Sequence, residues 1–140
     1  MRHLLIAGAL MAALAASPAA AAATALELAR HHISAVAAGD ITKITADYTD
    51  QSWLSWVGGP LDGTYLGSAQ IAATWTKFAK MAPLRATVRT IHVSGNPMGA
   101  TVVADVQFRG KMTIKVRYVM LYRGQHLVDE IWQIDPKIAK

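Results

Sequence analysis

The sequence predicts an α+β domain in which helices cover one face of a curved, mostly antiparallel β-sheet. Apolar residues recur at helical spacing through the first half of the chain. After Pro83 the period changes to two, and Gly-rich turns then separate one alternating segment from the next. Helices first and strands afterwards is the order expected of an α+β architecture.

The first 23 residues stand outside this pattern. Met1-Arg2-His3 is a short basic start, and Leu4 to Ala16 is uninterrupted apolar or small sequence. Ser17-Pro18 breaks it, and Ala19 to Ala23 offers small-x-small cleavage sites. That is the layout of a secretory signal peptide, so a periplasmic or secreted product is expected. The apolar core is shorter than the ~20 residues that span a bilayer, so no stable membrane anchor is expected after cleavage. The predicted division is a leader at 1–23, one domain at 24–135 and a basic tail at 136–140.

The elements follow in order. Thr24-Ala25-Leu26-Glu27 reads as a capping box that opens the first helix, with Leu26, Ala29, Ile33, Val36 and Ala37 as its apolar stripe. Gly39 stops it and Asp40 caps a second helix, whose short apolar face is Ile41, Ile44 and Tyr48 and which ends near Thr49-Asp50. Trp53 to Val57 reads as a strand, and the turn-rich segment Leu61–Gly67 has room for a brief second one. Ser68 caps a third helix with Ile71, Ala72, Trp75, Phe78 and Ala79 on one face, ended by Pro83. Strands are predicted at 85–94, 101–109, 111–123 and 127–134, with turns at Gly95–Gly99, Gly110 and Arg123-Gly124-Gln125.

Composition narrows the function. The formal charge is +5; without the leader, thirteen basic residues face nine acidic ones, leaving +4. These charges are scattered, with no basic run and no interleaved aromatics, so no nucleic-acid partner is expected. Cysteine is absent, which removes disulfides and thiol chemistry. His31-His32 lacks the i, i+4 spacing for a shared ion, and Asp129, Glu130 and Asp135 on one strand do not converge, so no metal is expected. Without a phosphate-cradling loop, nucleophile elbow or dinucleotide fingerprint, no cofactor is expected either.

Three segments together resemble the nuclear transport factor 2-like (NTF2-like, SnoaL-like, cystatin-like) superfamily. They are the Ala38-Gly39-Asp40-Ile41 corner, the stretch from Leu61-Asp62-Gly63 through Gly67-Ser68-Ala69-Gln70-Ile71, and the closing Gly124…Leu127-Val128-Asp129-Glu130-Ile131-Trp132. The resemblance implies a cone-shaped roll, with three N-terminal helices packed on the sheet around an apolar pocket, in an exported bacterial member. It also implies that members often pair through the exposed sheet face, here Lys111, Lys115 and Arg117 beside Val119 and Leu121, so a homodimer is expected. The ketosteroid isomerases of this superfamily use a first-helix Tyr, a first-strand Asp base and a late-strand protonated Asp. Those positions fall on His32, near Trp56 and near Tyr118. The cyclases place an acidic base on the last strand, where Trp132 stands. None keeps its residue type, and Trp has no lone pair with which to act as a base.

Alternation puts Val128, Glu130, Trp132 and Ile134 on one face of the last strand and Leu127, Asp129, Ile131 and Gln133 on the other. The resemblance implies that the Glu130 face turns inward. Glu130, His32 and Tyr118 are then the candidate catalytic trio. Trp56, Trp75, Met112, Tyr118, Met120 and Trp132 are the candidate ligand-binding walls. The plainer alternatives are an ion pair of Glu130 with Arg89 or Arg117, a surface location for one of the two histidines, and Trp and Met residues that only fill the core. The leading expectation is a pocket protein that binds a small, largely apolar molecule without catalysis. The rival is proton-transfer enzymology (isomerase, dehydratase or cyclase) with Glu130 and His32 or Tyr118, and a third reading is a dimeric interaction module.

Overall fold

A computed structural model of the chain describes residues 16–139. Residues 1–15, most of the expected leader, and residue 140 of the expected tail lie outside the described residues. The first helix, α1, runs Pro18–Ala38, so it begins before the predicted capping box. The Ser17 hydroxyl accepts from the Ala20 amide at 3.1 Å, and Pro18 sits in the first turn, where a missing N–H costs nothing. Ser17-Pro18, read above as a break, is thus a start. The alanine run behind it has the highest helix propensity of any residue and continues into Thr24–Glu27.

Gly39 ends α1 at φ 71°, and its amide reaches back to the carbonyls of Ala35 and Val36. A Cβ there would lie 2.6 Å from the Ala82 methyl, so the corner needs glycine both for its conformation and for space. Asp40 caps α2, which covers only Ile41–Thr45. It stops earlier than predicted because the Thr45 hydroxyl turns back to the Ile41 carbonyl at 2.8 Å and the Tyr48 amide closes a tighter turn onto Thr45. Tyr48 therefore leaves the helix and turns into the core. Two strands follow, β1 (Trp53–Val57) and β2 (Gly63–Leu66), before α3 (Gly67–Phe78). Ser68 does not cap α3; instead the Gln70 side chain accepts from the Leu66 amide at 3.1 Å. There are three α-helices among the described residues, but only α1 and α3 are long, and a hairpin separates them.

The remaining strands are β3 (Arg85–Asn96), β4 (Gly99–Arg109), β5 (Thr113–Arg123) and β6 (His126–Ile134). One curved, mixed sheet forms in the order β2-β1-β6-β5-β4-β3. All neighbours are antiparallel except β1 and β6, which run parallel with Trp56 beside Trp132. A register shift on β6 corrects the simple alternation: Met120 faces Glu130 and Leu121 faces Asp129, but Tyr122 faces Leu127. Val128 is the extra residue of this bulge, so Leu127 joins Glu130 and Trp132 on the inward face.

That inner face carries the core. Trp56, Trp75, Phe78, Phe108, Tyr118 and Trp132 form one aromatic stack, with ring centroids from 4.9 Å (Trp56–Trp132) to 6.4 Å (Phe78–Phe108). The N-terminal turn of α1 lies close over β3: a Cβ on Gly95 would meet the Pro18 carbonyl at 2.8 Å and the Ala22 amide nitrogen at 2.9 Å. Past β6 the chain folds back, burying Ile138, and the Gln107 side chain donates to the Ala139 carbonyl at 2.7 Å. No helix among the described residues is long and apolar enough to cross a membrane.

Candidate functional site

Two places in this fold have the character of a site, and the core separates them. The first is the cluster around Glu130. β6 aims this carboxyl inward, β5 brings Tyr118 beside it, α1 brings His32, and the turn after α2 brings Tyr48. Tyr48 and Tyr118 each donate their hydroxyl proton to a different oxygen of Glu130. His32 Nε2 stands 3.1 Å from Glu130 Oε1, 2.8 Å from the Tyr118 oxygen and 3.4 Å from the Tyr48 oxygen. Trp75 Nε1 donates to the Tyr48 oxygen at 2.9 Å.

The proton bookkeeping assigns the histidine. Each tyrosine has one hydroxyl proton, and both protons are directed at Glu130. His32 Nε2 must therefore be the donor, and Nδ1 is left with no partner among the described residues. Burial, reinforced by the charge of Glu130, pushes both Tyr48 and Tyr118 well above the ordinary tyrosine range, so both stay protonated donors. Glu130 is thus surrounded by three donors. Arg117, one partner of the plainer ion-pair alternative, pairs instead with Asp105 at 3.1 Å.

The structure brings together all three residues of the predicted trio, Glu130, His32 and Tyr118, with His32 buried and its neighbour His31 exposed. Tyr48 and Trp75 complete the cluster. Sequence reasoning placed Tyr48 on a helix face, and the early end of α2 that redirects it has no sequence signature beyond Thr45. Each side chain of the trio is at most 2% exposed. His32 also borders a cleft of about 290 Å³ between α1 and α2, with Glu27, Lys43 and Asp47. No group of three His, Cys, Asp or Glu among the described residues is placed to hold a metal ion.

The second place is a cleft of about 620 Å³ at the other end of the aromatic stack. Trp56 and Phe78 form its floor, Leu61, Ile114 and Ile134 its sides, and Met81 and Met112 its rim. Of the six expected ligand-binding residues, Trp56 and Met112 are here. Trp75, Tyr118, Met120 and Trp132 are fully buried and do not line it. Their rings and thioether fill the interior that the cone was expected to leave open. Trp132 lies 4.9 Å from Trp56 and 5.0 Å from Tyr118, between the cleft floor and the Glu130 cluster. A molecule in the large cleft therefore has no route to Glu130 without displacing tryptophan.

No protein-family model and no curated protein matches the chain. Solved structures do. An NTF2-like protein of unknown function from Pseudomonas putida KT2440 is similar at TM-score 0.72 and 20% identity, covering 89% of this chain and 95% of that one. A protein of unknown function with a cystatin-like fold from Nostoc punctiforme PCC 73102 gives TM-score 0.68 at 14% identity over 82% of this chain and 91% of that one. A de novo designed protein with a curved β-sheet gives TM-score 0.66 at 19% identity, covering 82% of this chain and 88% of that one. At these identities the likeness is one of fold.

Proposed function

We propose that this chain, whose fold is NTF2-like, is an exported protein that binds a small, largely apolar molecule in the 620 Å³ cleft without transforming it. The observation that carries the reading is the separation of the two sites. Among the described residues, this cleft combines the size of a ligand pocket with a mostly apolar wall that holds no carboxylate and no histidine, and Trp75 and Trp132 separate it from the Glu130 cluster. A fold of this kind hosts many activities, so function is argued from the cavity.

Nile red, an uncharged apolar dye, tests this directly. It is expected to bind with a fluorescence rise and to quench tryptophan emission through Trp56. Met81→Glu and Met112→Glu put a charge at the rim while leaving the core alone, and each is expected to weaken binding about tenfold. Dye binding that neither substitution changes places the ligand elsewhere and ends the proposal. Export has its own test: a cleaved N-terminus among residues 19–24 in protein recovered from outside the cytoplasm.

One observation favours a second reading, that of an enzyme. The Nδ1 of His32 has no partner among the described residues and belongs to a residue bordering the smaller cleft, so His32 offers a relay for proton transfer between a guest there and Glu130. Isomerisation of a β,γ-unsaturated ketone probe, abolished in Glu130→Gln, is the outcome that would replace the binding proposal. The homodimer is likewise part of our proposal. Val103, Val119 and Ile131 lie in register across the outer sheet face, next to Leu121 and the exposed Trp53.

A further inference from the structure

The wall of the large cleft is apolar, yet its charges have one sign. Lys77, near the end of α3, and Lys115, on β5, are the charged lining residues among those described. Three more lysines adjoin lining residues in the chain: Lys80 beside Met81, Lys111 beside Met112 and Lys137 beside Pro136. The nearest carboxylates in the chain are Asp62 and Asp135, and both are engaged by backbone. Asp62 accepts from the Gly58 amide at 2.7 Å, and Asp135 from the Lys137 amide at 3.0 Å. Neither they nor any other carboxylate of the described residues pairs with Lys77 or Lys115. The Lys115 ammonium spends one hydrogen on the Ile138 carbonyl at 2.7 Å, which fixes its position and leaves two donors.

From this arrangement we infer that the occupant is an anionic amphiphile, a molecule with an apolar chain or ring body and a carboxylate or similar oxyanion head. The inference rests on the binding proposal above and specifies its ligand class. The body lies over Trp56 and Phe78, and the flexible thioethers of Met81 and Met112 close over its flank. The head stays at the wet rim beside Lys77, where a charge-assisted hydrogen bond forms without removing the anion from water, and the nearby Lys115 charge adds to the positive field. A neutral molecule leaves these lysines without a role, and a cationic one is repelled by both. One exposed pair with Lys77 and the field of Lys115 contribute modestly, so the preference for the anion over its neutral analogue is about tenfold and falls with salt.

The test uses three probes with the same twelve-carbon chain: dodecanoate, dodecanol and dodecylammonium, each displacing Nile red from the protein below its micelle concentration. Dodecanoate is expected to bind about tenfold more tightly than dodecanol, with dodecylammonium weakest. Lys77→Gln should reduce the dodecanoate advantage to about threefold, and Lys77→Arg should restore it. Equal affinity for dodecanoate and dodecanol, with the dye still displaced, overturns the charge inference and leaves the binding proposal standing. Failure of all three probes, together with failure of Nile red to bind, overturns both. A dodecanoate preference unmoved by Lys77→Gln and by salt also overturns it. So does sedimentation with phosphatidylglycerol vesicles without displacement by dodecanoate, which would make the lysine rim a membrane-contact surface instead.

Discussion

At the scale of single residues, the buried tyrosines dominate the pH response. Tyr48, Tyr118 and Tyr122 all have their ionisation pushed upward, first by burial and then by the charge of Glu130. In the unfolded chain each ionises near the ordinary value of about 10. The folded state therefore holds protons that the unfolded state releases, and stability is complete below about pH 10 and falls as pH rises above it. Each tyrosine contributes a slope of about 1.4 kcal/mol per pH unit, about 4 for the three together. An alkaline titration is expected to show their phenolate absorbance appearing together with loss of circular dichroism. Phenolate growth from these residues in a molecule that keeps its dichroism would contradict the burial argument. The cluster's membership was only partly legible. Periodicity put Glu130 and Tyr118 on strands and His32 on a helix, and family resemblance turned them inward. Nothing in the residue types announced that Tyr48 would join them.

At the scale of elements, the strands read well and the helix ends did not. β1 falls where Trp53–Val57 was expected, and the later strands differ from expectation by two residues or fewer at their ends, because alternation and Gly-rich turns report directly on a sheet. The start of α1 was misread because Ser17-Pro18 is equally a break and an N-cap, and only the residues that follow decide which. The bulge at Val128 was invisible for a different reason: a register shift depends on the partner strand, which no local pattern contains. The α1–α2 corner gives the sharpest element-level test. Gly39→Ala forces a side chain into a left-handed conformation and against Ala82, and a loss of about 1–3 kcal/mol is expected in urea denaturation. A change under a few tenths would mean that the corner relaxes freely.

At the scale of the whole molecule, the sheet divides its faces between two tasks. The inner face is spent on aromatic packing, which seals Glu130 and pushes the open volume to one end. The outer face presents the row Val103, Val119 and Ile131. Sedimentation velocity at micromolar concentration is expected to give a dimer, and Ile131→Lys a monomer with unchanged secondary structure; a wild-type monomer would leave that row without its proposed partner. The position of the cavity was not legible in the sequence, because it depends on how far the tryptophans fill the space between α3 and the sheet. The close approach of Gly95 to Pro18 and Ala22 has a further consequence. It makes one strand glycine a record of the chain's history. If residues 1–23 are removed, the obstacle to a side chain at position 95 goes with them. Gly95→Ala should then destabilise a chain beginning at residue 16 but be neutral or slightly stabilising in one beginning at residue 24. Tolerance of that methyl group in the protein made by the living cell would reveal, without sequencing its end, that the working molecule has already shed its first turns.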